Sequence, residues 1–200
     1  MTWSVEKQEN FKDFIFIFQT MLQNLHATQV PHLKFAAMET VRTSLMPLTK
    51  NDFPDMLAMF GEPETAFYIK HLQNLSRTEY ESILDNRLAQ LDKRAGYHWT
   101  ARLKSSNTFI GALNLSPIPN TTMMQIGFQF RTKYWNQGFA FELAKKVLEF
   151  GIHEIGLQTV YGVFEKENIA SRKVLEKLGF AVDEHKIHLE GPVEIHKYNN

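Results

Sequence analysis

The run Tyr134-Trp135-Asn136-Gln137-Gly138-Phe139-Ala140-Phe141-Glu142 joins an apolar, strand-like stretch to a long amphipathic helix, and this junction constrains the chain more than any other segment. A glycine at the first turn of a helix lets a ligand approach the main chain without meeting a Cβ. The N–H groups exposed there point at anions, with the helix dipole behind them. No Gly-Lys-Ser/Thr follows a glycine as in a P-loop, and Gly138-x-Ala140 lacks the full dinucleotide fingerprint. Taken alone, the turn reads either as a cradle for a phosphate-bearing group or as a tight strand-to-helix connection.

The segments around it change period. Residues 97–104, 108–115 and 123–131 read as strands, separated by the turn Ser105-Ser106-Asn107 and by the breaks at Pro117 and Pro119. Short connections make them an antiparallel meander. The helix from Gly138 to His153 and a strand over 158–164 follow, and the order strand, helix, strand implies a right-handed crossover and a parallel pair. Upstream, residues 40–48 read as a strand, and Asn51 as the N-cap of a short helix carrying Phe53, Met56, Leu57 and Phe60. Ser76-Arg77-Thr78-Glu79 is a capping box before a longer helix. Downstream, a helix over 169–178 ends at Gly179, and Gly191-Pro192 turns a last pair of strands. The fold class is α+β, with a mixed, mostly antiparallel central sheet flanked by helices.

Near the N-terminus, Phe11, Phe14, Ile15, Phe18, Met21, Leu22 and Leu25 recur at spacings of three and four, the pattern of an amphipathic helix. Phe16 and Ile17 widen its apolar face, so it packs on its own domain or on a second copy as a homodimer contact. We divide the chain into residues 1–37, this helix and its connector, and residues 38–200, the main domain. Lys plus Arg and Asp plus Glu are each 22, so overall charge supports no nucleic-acid or anionic-membrane partner. The absence of cysteine excludes disulfides, thiolate nucleophiles and cysteine metal sites. With no apolar run long enough to span a bilayer and no basic leader, a soluble, cytoplasmic protein is expected.

Three spaced groups of residues together resemble the GNAT superfamily of acetyl-CoA-dependent N-acetyltransferases, and within it the RimJ/RimL type. They are Ile126-Gly127-Phe128; the Tyr134 to Glu142 run; and Asn168-Ile169-Ala170-Ser171-Arg172 with Leu175-Glu176-Lys177-Leu178-Gly179-Phe180. The resemblance implies a splayed parallel strand pair with the pantetheine arm of acetyl-CoA lying in the gap. It implies that the Phe128 N–H polarises the thioester carbonyl and that Phe130 pairs with pantetheine. The pyrophosphate would rest on the amides of Gln137, Gly138, Phe139, Ala140 and Phe141. An amine, either a protein N-terminus or a small molecule, would then attack the acetyl carbon directly, without a protein nucleophile.

The chain departs from that pattern where protons move. Leu175 stands where many relatives carry a tyrosine acid, and leucine donates nothing. Ser171, one helical turn earlier, is the candidate donor to the thiol sulfur, and Asn168 is either a pantetheine contact or the N-cap of its helix. No carboxylate lies between Met123 and Phe130, where several relatives place a base, leaving Glu165, Glu167 or a water relay. The bland reading of both glutamates is a solvated loop charge, and that of Glu142 is a favourable helix-start charge. Arg131, Lys133, Arg172, Lys173 and Lys177 are candidates for the adenosine 3'-phosphate. No metal is expected, because His185 and His188 sit three apart on a strand and face opposite ways. These departures also fit a non-catalytic acyl-CoA sensor or an interaction module.

Overall fold

The computed structural model describes residues 37–69, 72–93, 95–183 and 192–200. The N-terminal helix expected over Phe11 to Leu25, its dimer contact, His185, His188 and the Gly191 turn lie outside them.

Eight strands form one sheet in the order β1-β2-β3-β4-β5-β6-β8-β7. They are β1 (Met38–Glu39), β2 (Thr43–Pro47), β3 (Tyr97–Leu103), β4 (Phe109–Pro117), β5 (Met124–Phe130), β6 (Thr159–Glu165), β7 (Ala181–Val182) and β8 (Val193–Asn199). The helices are α1 (Phe53–Phe60), α2 (Pro63–Ala66), α3 (Arg77–Asp92), α4 (Phe139–His153) and α5 (Ile169–Lys177). Every pairing is antiparallel except β5 with β6. The expected meander and crossover are both present.

Local chemistry explains the starts and stops. At α3 the Ser76 N–H donates to Glu79 Oε2 at 2.7 Å while the Glu79 N–H donates to Ser76 Oγ at 3.3 Å, closing the expected capping box. Gly179 ends α5 at φ 93, a left-handed conformation that favours glycine. At α1 the expectation fails by one residue. A 3-10 turn over Lys50–Asp52 comes first, the Thr49 N–H and hydroxyl both donate to Asp52 Oδ2 at 3.0 and 2.8 Å, and Asp52 rather than Asn51 is the N-cap.

Strand alternation divides the core into two layers. On one face Trp99, Leu113, Leu115, Ile126, Val160 and Phe164 pack with Leu143, Ala144 and Val147 of α4 and with Leu175 of α5. On the other, Phe109 and Ala112 pack with Met56, Met59 and Phe60 of α1 and Leu84 of α3. The helices that follow β5 and β6 therefore close one side of the parallel pair.

Candidate active site

The parallel pair β5/β6 is joined at one register position, Gln125↔Tyr161, and parts beyond it. The Arg131 N–H donates to Ile110 O at 3.0 Å, which fixes the alternation of the β4/β5 ladder. Gln125, Gly127 and Gln129 turn their main-chain groups toward β4, so Ile126, Phe128 and Phe130 turn theirs toward β6. Phe128 is the first residue past the bridge on that side, and its N–H faces the gap. The Phe130 carbonyl is engaged by Trp135 Nε1 at 2.7 Å and by the Thr65 hydroxyl at 3.3 Å, which leaves its N–H as the group able to meet a ligand.

At the open end of the gap stands the glycine turn. Gly138 is the N-cap of α4 at φ 81 and ψ 0, with no side-chain cap. The Glu142 N–H is the first to find a helical acceptor, Gly138 O at 3.1 Å, so the amides of Phe139, Ala140 and Phe141 have no intrahelical partner. Asn136, where the resemblance leads one to expect glycine, adopts φ 58, and asparagine tolerates that left-handed well. The substitution therefore preserves the turn.

Two side chains from distant segments hold this turn, and neither was singled out from the sequence. The Arg42 guanidinium donates to Glu142 Oε2 at 2.8 Å and to Gln137 O at 3.1 Å, and lies 4.0 Å above the Phe139 ring. Burial alone raises the pKa of Glu142, but hydrogen bonds from Thr40 and Arg42 and the guanidinium charge outweigh it and hold the carboxyl below its ordinary value. Glu142 is thus an anchor of the loop as well as a favourable helix-start charge. On the other flank Glu62 accepts from Arg131 Nε at 2.6 Å, the Thr132 N–H at 2.9 Å and the Thr65 hydroxyl at 3.2 Å. Its carboxyl is likewise lowered, burial being outweighed by the Thr132 amide and by Arg131.

The remaining sequence candidates fall on both sides of the gap. Asn168 caps α5, its Oδ1 accepting from the Ser171 N–H at 3.0 Å, so its side-chain NH2 is the half left for a ligand. Ser171 is half-buried, and its hydroxyl makes no hydrogen bond among the described residues. Leu175 points onto β6, where a Cβ on Gly162 would lie 2.5 Å from Leu175 Cδ1. Glu165 differs from a solvated loop charge: it ends β6, opposite Val193, and is 8% exposed. Alternation places Glu165 on the face of β6 away from Phe164 and α5, so Ser171 of α5 and Glu165 lie toward opposite faces of the sheet. Glu167 remains exposed. Of the phosphate candidates, Arg131 is committed to Glu62 and Arg172 to Glu194 at 2.7 Å. Lys177 lies over the Phe141 ring at 4.2 Å, and Lys173 is exposed.

A mixed sheet that parts beside a glycine-led helix is the architecture that the sequence resemblance leads one to expect of an acetyltransferase. The acetyltransferase (GNAT) domain matches residues 42–181, and the chain belongs to this family of N-acetyltransferases. It is 27% identical over 148 residues to YoaA of Bacillus subtilis (strain 168), called an uncharacterized N-acetyltransferase, across 73% of this chain and 83% of that one. An acetyltransferase from Agrobacterium tumefaciens str. C58 shares the fold at TM-score 0.75 and 17% identity, covering 87% of this chain and all of that one. RimL, the ribosomal L7/L12 alpha-N-protein acetyltransferase solved with coenzyme A, superposes at TM-score 0.70 and 12% identity over 82% and 98% of the two chains. Among the described residues no helix is long and apolar enough to cross a membrane.

Proposed function

We propose that this chain transfers acetyl from acetyl-CoA directly to a primary amine, with the thioester lying in the gap between β5 and β6. The observation that carries the reading is the single bridge Gln125↔Tyr161, past which the Phe128 N–H faces the opening. An amide aimed at the developing oxyanion supplies about 3 to 4 kcal/mol of transition-state stabilisation. The amides of Gln137, Gly138, Phe139, Ala140 and Phe141 form the pyrophosphate seat, a helix N-terminus led by a residue without a Cβ. The Phe130 N–H and the Asn168 side-chain NH2 pair with pantetheine.

Attack by a neutral amine leaves a proton on nitrogen and a thiolate to be protonated. Ser171 is the donor to sulfur from the α5 side, and Glu165 receives the amine proton from the opposite side, directly or through water. Leu175, seated against Gly162, excludes bulk water from the gap without taking part in proton transfer. RimL acts on a protein N-terminus, and a protein N-terminus or a small amine is the acceptor class for this chain. Acetyl-CoA binding by calorimetry and thiol release with N-terminal peptides and small amines test the reading. Tight binding with acceptor-dependent release supports it. Binding with no release above hydrolysis would turn it to a sensor of acyl-CoA.

A further inference from the structure

Arg172, drawn away from the phosphate seat, joins three segments at the start of α5. Its Nη2 donates to Glu194 Oε1 of β8 at 2.7 Å and to the carbonyl of Lys166, just past the end of β6, at 3.1 Å. The Lys166 N–H in turn donates to Pro192 O at 3.0 Å, and the Asn168 N–H to Glu165 O at 2.8 Å. The short link from β6 to α5 is thus tied at both ends. The Arg172 Nε–H is buried and finds no acceptor among the described residues. A buried donor without a partner costs free energy that an arginine turned into solvent avoids, so the bonds at Nη2 are what hold this side chain inward. Glu194 is itself backed by β8. Its Oε2 lies 3.4 Å from Nε2 of His196, a side chain 1% exposed that stands edge-on to the Phe164 ring.

Helix geometry links this anchor to the gap. Successive residues stand about 100° apart around a helix, so Ser171 and Arg172 lie on opposite flanks of Leu175, which falls one turn later and about midway between them. Leu175 is seated on β6, where a Cβ on Gly162 would lie 2.5 Å from its Cδ1. β6 has β5 on one side and β8 on the other. With Leu175 beneath the helix and Arg172 drawn to β8, Ser171 is turned to the β5 side, where the parallel pair parts. The Ser171 N–H donates to Asn168 Oδ1 at 3.0 Å, so the cap turns with the helix. The apolar seat of Leu175 has no preferred direction, whereas a charged, hydrogen-bonded pair does. The rotation of α5 about its axis is therefore set by Arg172 and Glu194.

We propose that Arg172, through Glu194, is a positioning residue for acetyl transfer: the pair fixes the rotation of α5 and so aims the Asn168 side-chain NH2 and the Ser171 hydroxyl at the pantetheine end of acetyl-CoA. This rests on the transfer reading above and adds to it the residues that hold those two groups in place. The glycine turn is held by Arg42 and Glu142 instead, so the pyrophosphate seat does not depend on Arg172. Loss of the pair therefore acts on one end of the cofactor and spares the other.

The test separates those two ends. Calorimetry with the full chain measures Kd for acetyl-CoA and for 3'-phospho-ADP, which carries the nucleotide and its phosphates without pantetheine. R172Q is expected to raise the Kd of acetyl-CoA about three- to tenfold, the worth of one hydrogen bond to pantetheine, and to leave that of 3'-phospho-ADP unchanged. E194Q, whose amide oxygen still accepts, should shift the ratio in the same direction by less, and R172K, which keeps the charge, should recover part of the R172Q loss. Unfolded chain lowers the binding stoichiometry and not the Kd, so a variant that folds poorly still reports the ratio. A ratio of the two Kd values that is the same in R172Q, E194Q and the parent overturns the assignment, whether both ligands weaken or neither does. Where the parent binds acetyl-CoA more tightly than 3'-phospho-ADP, the transfer reading survives that failure. A parent chain that binds the two alike has no hold on pantetheine, and the assignment and the transfer reading then fall together.

Discussion

Arg42 and Glu142 meet at 2.7 Å across the turn that begins α4, joining the residue before β2 to the first turn of a helix a hundred residues later. The same guanidinium donates to Gln137 O and covers the Phe139 ring, so one side chain fixes the carbonyl before Gly138, the ring after it and the carboxylate beyond. The loop whose free amides are the proposed anion seat is pre-organised in this way from behind, and preorganisation lowers the ordering cost of binding.

R42A is therefore expected to weaken acetyl-CoA binding, and calorimetry reads the change as a rise in Kd of about three- to tenfold, the effect of about 1 kcal/mol in a partly exposed ion pair. The double variant R42A/E142A separates the pair from its surroundings. A coupling free energy of zero in that cycle would show that the loop is held by something else.

The pH dependence follows from the lowered carboxyls of Glu142 and Glu62. A carboxyl whose pKa falls on folding contributes stability that is fully present above its unfolded value and is lost as pH falls through the lower, folded value. Thermal melts should therefore hold steady from neutral pH down to the ordinary glutamate range and decline below it. In E62Q/E142Q the decline is expected to be shallower, from a lower starting Tm. An identical slope in parent and variant would remove these two groups from the account.

A Cβ on Gly138 would meet Arg42 Nη2 at an ordinary contact distance of 3.7 Å, so the requirement for glycine is conformational rather than steric. At φ 81, G138A costs about 1 to 2 kcal/mol, visible as a lower Tm and weaker acetyl-CoA binding. N136A carries a similar stability cost at φ 58, while N136G does not, because glycine enters that well freely.

Leu175 and Gly162 form a complementary pair. The 2.5 Å approach leaves no room for a methyl on β6, so G162A is expected to destabilise the chain by about 1 to 3 kcal/mol, and L175A to relieve part of that loss in the double variant. The same contact argues that L175Y installs no proton donor. The larger ring meets β6 before it reaches the gap, and the expected result is a lower Tm without a gain in turnover.

The parts of the site that sequence made legible are those built from neighbours along the chain. The strand-to-helix turn at Gly138, the capping box at Ser76 and Glu79, the left-handed Gly179 and the N-cap at Asn168 each depend on residues within a few positions, where periodicity and cap chemistry speak directly. The resemblance extended this to the parallel pair, and its single bridge bears that out. Arg42 and Glu62 escaped because their partners lie 95 to 100 and 69 to 70 residues away, and an isolated charge in a sequence gives no sign of its partner. The bland reading of Glu165 as a loop charge fails because β6 runs one residue further than its apolar pattern, with Val193 pairing the extra position.

Ser171 and Glu165 give the sharpest test of how protons move. They sit on opposite faces of β6, so they cannot share one hydrogen-bond chain without crossing the gap, and their substitutions should act on different steps. S171A, which removes the proposed donor to sulfur, is expected to lower kcat by about ten- to a hundredfold, with little change in the KM of either substrate. A thioester with a better leaving thiol should recover much of that loss. E165Q, which removes the proposed receiver of the amine proton, is expected to lower kcat/KM for the acceptor by about a hundredfold and to move the acidic limb of its pH profile. Raising the pH should offset E165Q, because more amine enters already neutral, and should leave S171A unchanged. A purely structural Glu165, buried at the end of its strand, would instead lower the Tm while the remaining folded enzyme kept its turnover and its pH profile.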